Sequence, residues 1–88
     1  MIGLFQENGP CRITNDSSGV THNNFSWNTH ANLLFIDQPV GVGFSHGTLD
    51  VDTSSEAASD VWAFLQVFLA DGRFSWLRER NVGIWTES

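Results

Sequence analysis

The sequence predicts an α/β fold with its chemistry on loops at the ends of buried strands. Three observations carry this. Leu33-Leu34-Phe35-Ile36 is an unbroken apolar run between Asn32 and Asp37, which reads as a strand buried on both faces, as in a parallel sheet. A short buried helical segment would give a similar run; its length and the nearby Pro39 favour the strand. The run then breaks into a loop punctuated by Pro39, Gly41 and Gly43, which cannot continue a ladder. Such loops at strand ends are where open α/β sheets place their binding surfaces. Third, a helical pattern from Thr53 is followed by a second apolar run, Val82-Gly83-Ile84-Trp85. The order strand, glycine loop, helix, strand fits a right-handed parallel crossover.

Such a sheet needs helices on both faces, and 88 residues cannot supply them. Four tryptophans and seven phenylalanines call for a larger core than this length can build. The expectation is therefore an incomplete α/β domain, truncated at both ends. The net charge of −6 argues against nucleic acid and anionic membrane surfaces as partners. No apolar run approaches the roughly 20 residues of a membrane span. The opening Met1-Ile2-Gly3-Leu4-Phe5 lacks the basic start of a secretory signal. The lone Cys11 gives no internal disulfide and no metal cluster. As a small thiol it needs no special role, although it could pair outside this segment. No cofactor motif is visible, and no metal site is expected.

In chain order, Gly3 to Cys11 is apolar and then turn-forming, with a bend at Gly9-Pro10. Cys11-Arg12-Ile13-Thr14 reads as a short strand. Asn15-Asp16-Ser17-Ser18-Gly19 is a turn by composition, and Val20-Thr21-His22 reads as the start of a return strand. Asn15-Asp16-Ser17 and Asn24-Phe25-Ser26 both fit the N-glycosylation acceptor pattern, so Asn15 and Asn24 are candidate sites; as ordinary polar loop residues they would look the same. Trp27 reads as a packing residue. Asp50 and Asp52 read as a solvated connection, with no converging partner to make a metal site.

Thr53 and Glu56 have the spacing of a capping box. Ala57, Val61, Phe64, Leu65 and Phe68 then recur at helical spacing, and Trp62 and Leu69 widen the stripe. That stripe is core material for packing on a sheet. The helix is expected to leave at Asp71-Gly72. Phe74 to Arg80 carries a short helical pattern, with Arg78 and Arg80 as surface charges. Ser88 falls just beyond the second apolar run, where a nucleophile elbow would expose a hydroxyl at the sheet edge. The local pattern alone is weak, since a serine often simply ends a strand.

With these residues placed, the sequence resembles the serine carboxypeptidases, an α/β-hydrolase family, and its fungal members in particular. The resemblance rests on Gly3-Leu-Phe-Gln-Glu-Asn-Gly-Pro10, Ser26-Trp-Asn28, Ala31-Asn-Leu-Leu-Phe-Ile-Asp-Gln-Pro-Val-Gly-Val-Gly-Phe-Ser45, Ala57-Ala-Ser-Asp-Val-Trp-Ala-Phe-Leu65 and Thr86-Glu-Ser88, and above all on the stretch from Asp37 to Ser45. It implies hydrolysis of C-terminal peptide bonds at acidic pH through an acyl-enzyme, without a cofactor, in a secreted or vacuolar protein. It implies that Ser88 is the nucleophile and that Glu7 and Glu87 together hold the substrate's terminal carboxylate. Two carboxyls brought together cannot both ionise easily, so the pair shares a proton and can donate to that carboxylate. The resemblance puts the partner aspartate and histidine after Ser88, and the glycine-rich oxyanion segment before Met1. The isolated chain is therefore expected to be inactive, with a non-catalytic relic or a binding or assembly fragment as the alternative. His22, His30 and His46 match no family histidine and read as loop residues. Asp37 reads as a group that fixes its loop.

Overall fold

Local sequence builds two separate units, Met1–Leu49 and a second beginning at Asp50. The computed structural model describes residues 1–86 of the chain.

The first unit starts with a single π-helical turn, Gly3–Glu7, in which the Gly3 carbonyl accepts from the amides of Asn8 (3.2 Å) and Gly9 (3.1 Å). Gly9 closes the turn because a Cβ there would sit 2.0 Å from the Leu4 carbonyl oxygen. Only a residue without a side chain permits that approach. Strands β1 (Cys11–Ile13) and β2 (Val20–His22) follow as an antiparallel hairpin, with Cys11 opposite His22 and Ile13 opposite Val20. The turn between them is held by its own polar side chains. Thr14 exchanges backbone and hydroxyl hydrogen bonds with Gly19, and the Asp16 carboxylate accepts from the Ser18 amide and hydroxyl. Bonds from Thr14 and then Ser18 hold the Asp16 carboxyl down to about 2.

Beyond the hairpin, Ser26 caps a 3-10 turn, Trp27–Thr29, by accepting from the Asn28 amide at 3.3 Å. Residues 33–36, expected as a strand, join no ladder: the described sheet contains β1 and β2 alone. Burial nevertheless alternates along residues 33–39, half-buried and exposed by turns. That period of two belongs to a chain with two distinct faces, not to a run buried on both. A buried parallel strand requires hydrogen-bonded neighbours on each side, and none stands beside this segment among the described residues. The same correction applies to residues 82–85, where Val82, Ile84 and Trp85 are exposed and no strand forms. Neither of the two runs on which the parallel crossover was expected is thus a strand among the described residues.

In the second unit, α1 (Ser54–Ala70) begins with the capping box expected from sequence. The Thr53 hydroxyl accepts from the Glu56 amide (3.2 Å), and the Glu56 carboxylate accepts from the amides of Asp52 (3.0 Å) and Thr53 (2.8 Å). The Thr53 hydroxyl also donates to that carboxylate at 2.9 Å, and this bond, followed by the two amides, lowers the Glu56 carboxyl below its ordinary 4.5. At the far end the Asp71 amide bonds back to Phe68 and Val67, and the Asp71 carboxylate accepts from Arg73. The Arg78 guanidinium donates to the Leu69 carbonyl at 2.7 Å, as a cation suits the negative end of a helix. The helix packs on a 3-10 segment, Ser75–Glu79, through a stack of Phe64, Phe68 and Phe74 with centroid spacings of 5.7 and 4.3 Å. Within its unit, then, the apolar stripe meets this short segment and not a sheet. Trp62 and Val67 on α1 stay exposed.

No apolar residue is buried among the described residues. Conformational entropy costs about 1–2 kcal/mol per ordered residue, and without a dry core little offsets it. The isolated chain is expected to melt without a cooperative transition; a sharp sigmoidal loss of far-UV circular dichroism on heating would contradict this. The capping box gives a pH test. Because the Glu56 pKa is lowered in the helix, its stabilisation is complete above about 4.5. It is lost as pH falls through the helical value. Helicity of the chain should drop on acidification, and Glu56→Ala should lower helicity at neutral pH and flatten its dependence on acid. Thr53→Ala should lower helicity too, by the equivalent of about 1 kcal/mol.

Candidate functional site

Three residues proposed for function at the sequence level are Glu7, Glu87 and Ser88. Glu87 and Ser88 lie outside the described residues, so the geometry concerns Glu7 and its surroundings. Glu7 ends the π-helical turn with its side chain on the surface. Single π-turns are uncommon and occur often at functional sites.

The backbone carbonyls around Glu7 are all held. Arg12, reaching back from β1, donates from Nη1 to the Gln6 carbonyl and from Nη2 to the Glu7 carbonyl, both at 3.1 Å. The Asn8 carbonyl accepts from the Ser26 hydroxyl (2.9 Å) and the Trp27 amide (3.1 Å). The Gly9 carbonyl accepts from the Asn23 side-chain amide at 2.8 Å, and the Pro10 carbonyl from the Asn23 backbone amide at 2.8 Å. Asn23 and Ser26 are the buried side chains of the described structure, 3% and 5% exposed. The Asn23 carbonyl oxygen in turn accepts from the Phe25 amide, so that side chain is satisfied at both ends. Asn8 Oδ1 is buried with no hydrogen-bond partner. Beside the turn an open hollow is lined by Leu4, Pro10, Asn28, Leu33 and Phe35.

The roles of Arg12 and Asn23 were not visible in the sequence. Ser26 drew notice only within Asn24-Phe25-Ser26 and Ser26-Trp27-Asn28. No spacing rule reports a side chain that bonds to a distant carbonyl.

The glycine loop after residue 36 is organised by Asp37. Its carboxylate accepts from the Phe44 amide at 3.0 Å, and its carbonyl accepts from the Ser45 hydroxyl at 2.6 Å. The ammonium of Met1 lies against the same carboxylate. Together the Met1 ammonium and then the Phe44 amide lower the Asp37 carboxyl below its ordinary value. Gly43 has a positive φ of 55° and leaves no room for a side chain, since a Cβ would lie 2.1 Å from Asp37 Oδ2. Asp37 thus fixes its loop.

The three histidines do not form a catalytic arrangement. His22 Nδ1 bonds to Asn24 Oδ1 at 2.9 Å, and His46 Nδ1 lies 3.2 Å from its near neighbour's carbonyl, that of Phe44. His30 ends the Trp27–Thr29 turn. Asn15 and Asn24 sit at exposed turns, but the Ser26 hydroxyl of the second acceptor pattern is buried and bonded. Cys11 is a half-buried free thiol. Among the described residues no group of three or more His, Cys, Asp or Glu stands close enough to hold a metal ion. None of the described helices is long and apolar enough to cross a membrane.

Comparison with known proteins bears directly on this arrangement. The family model described as serine carboxypeptidase matches residues 1–88. Carboxypeptidase S1 of Penicillium janthinellum is 51% identical over 88 residues, covering all of this chain and 20% of the relative. Carboxypeptidase S1 homolog A of Arthroderma otae is 35% identical over 130 aligned positions, again covering all of this chain and 20% of the relative. Carboxypeptidase Y homolog A of Pyrenophora tritici-repentis is 43% identical over 68 residues, 77% of this chain and 12% of the relative. The chain spans about a fifth of the length of the first two. The β1–β2 hairpin and α1 are a small portion of the α/β-hydrolase architecture that this family model implies. With the match running through its whole length, from the clamped Glu7 turn to Thr86-Glu87-Ser88, the chain belongs to the serine carboxypeptidase family.

Proposed function

We propose that this chain carries the nucleophile and the carboxylate-gripping glutamates of a serine-type carboxypeptidase acting on peptide C-termini. The observation that carries this reading is the family match over residues 1–88, which takes in Glu7, Glu87 and Ser88 together. In the reaction, Ser88 Oγ attacks the carbonyl carbon of the last peptide bond while a base takes its proton. The C–N bond breaks, the terminal amino acid leaves as a protonated amine, and the acyl-serine ester remains. Water then cleaves the ester and restores the hydroxyl. Glu7 and Glu87 act on the other end of the leaving residue: sharing one proton, they accept from and donate to its carboxylate. That grip selects substrates with a free C-terminus and sets the scissile carbonyl before the serine.

The chain's own histidines are engaged in loops, so base and acid come from outside these residues, and the isolated chain is inactive on this reading. A binding or assembly role without turnover is the second reading. The lack of a buried apolar residue among those described favours it for the chain on its own. Exposed Asn15 and Asn24 are glycosylation candidates, consistent with a secreted or vacuolar product.

Two experiments test this. The isolated chain should neither cleave a blocked dipeptide at acid pH nor be labelled at Ser88 by an organophosphonate; labelling above other serines contradicts the inactivity. Second, residues 1–88 can replace the matching segment of Penicillium janthinellum carboxypeptidase S1. Ser88→Ala in that graft should lower kcat by a factor on the order of 10⁴ or more. The sign of the pH effect follows from the shared proton. Affinity is present while the pair holds it and is lost as pH rises and both carboxyls ionise. KM for a free-carboxylate peptide should therefore climb with pH, and Glu7→Gln should flatten the climb. Retained turnover in Ser88→Ala would overturn the nucleophile assignment.

A further inference from the structure

The bonds around Glu7 do more than close a turn. Five consecutive carbonyls, Gln6 to Pro10, are each met by a donor, and three of the donors are side chains from later in the chain: Arg12, Ser26 and Asn23. Asn23 and Ser26 hold the segment from its buried side. Arg12 holds it from the solvent side, and its Nη2 donates to the carbonyl of Glu7 itself. A guanidinium suits this task because its planar fork reaches two adjacent acceptors at once; an ammonium is a point charge and does not match that geometry. An exposed carboxylate on an unrestrained turn would lose conformational freedom on gripping a substrate. Restraining the backbone beforehand removes part of that cost.

We infer that Arg12 is a positioning residue for substrate selection: it fixes the Glu7 backbone so that the Glu7 carboxyl is ready for a peptide's terminal carboxylate. This rests on the reading of Glu7 given above. Arg12 touches no reacting atom, so its effect appears in the binding of one substrate class and not in the chemical step.

The test uses the same graft in full-length carboxypeptidase S1, with two substrates of equal sequence, a peptide with a free C-terminus and its C-terminal amide. Arg12→Ala should raise KM for the free acid about tenfold, the loss expected from weakening one charge-assisted hydrogen bond. It should leave kcat within about twofold and the amide's kinetics unchanged. Arg12→Lys should fall between the parent and Arg12→Ala. In a Glu7→Gln background, Arg12→Ala should add little, because the group it positions is already altered. Equal losses on acid and amide, or full additivity with Glu7→Gln, would overturn the positioning role. If Glu7→Gln alone leaves the acid's KM unchanged, the reading of Glu7 fails. If Glu7→Gln raises KM and Arg12→Ala does not, Glu7 stands and the inference about Arg12 falls.

Discussion

The first unit depends on satisfying a row of backbone carbonyls with side chains from residues that follow it. Asn23 and Ser26 are its buried side chains, and both are polar. A hydrogen bond of this kind contributes about 1 kcal/mol net when made, whereas a buried carbonyl left without one costs about 1–3 kcal/mol. The asymmetry explains why the segment is fixed although it buries no apolar residue. It also gives meaning to Gly9, the point at which the turn folds against the backbone of Leu4. Among the described residues, Asn8 Oδ1 is a buried side-chain acceptor without a hydrogen-bond partner, and Asn8 directly follows Glu7.

Polar side chains do comparable work in the second unit. Thr53 and Glu56 satisfy the first amides of α1, and Arg78 satisfies a carbonyl near its end. Between them the apolar stripe of the helix is only half-covered. Helices of this length are marginal on propensity alone, so the capping groups and the Phe64, Phe68 and Phe74 stack carry much of its definition. The exposed Trp62, Val67, Val82, Ile84 and Trp85 are the kind of surface that the sheets and helices of an α/β-hydrolase domain cover.

Local chemistry was legible in the sequence, and non-local chemistry was not. The hairpin could be read because Asn15 to Gly19 dictate a turn by themselves, and the start of α1 because Thr53 and Glu56 report on each other across one helical turn. Residues 33–36 could not be settled that way. Their apolarity indicates burial somewhere, but a strand exists only where another strand bonds to it. The π-turn at Gly3–Glu7 has no periodicity to betray it, and it forms because Gly9 lets the backbone close. At the candidate site, Glu7 was found through the likeness of its flanking residues to a family. Arg12, Asn23 and Ser26 emerged only once the fold brought them to its carbonyls, across separations of 5 to 18 residues.

The central claim is that a backbone clamped by polar side chains presents Glu7 to the terminal carboxylate of a peptide. A crystal structure of the grafted enzyme with a bound product amino acid tests it most directly. The account predicts the product carboxylate within hydrogen-bonding distance of both Glu7 and Glu87, with the Arg12 fork still on the carbonyls of Gln6 and Glu7. A product carboxylate seated away from Glu7, or a Glu7 turn rearranged with Arg12 in solvent, would contradict it.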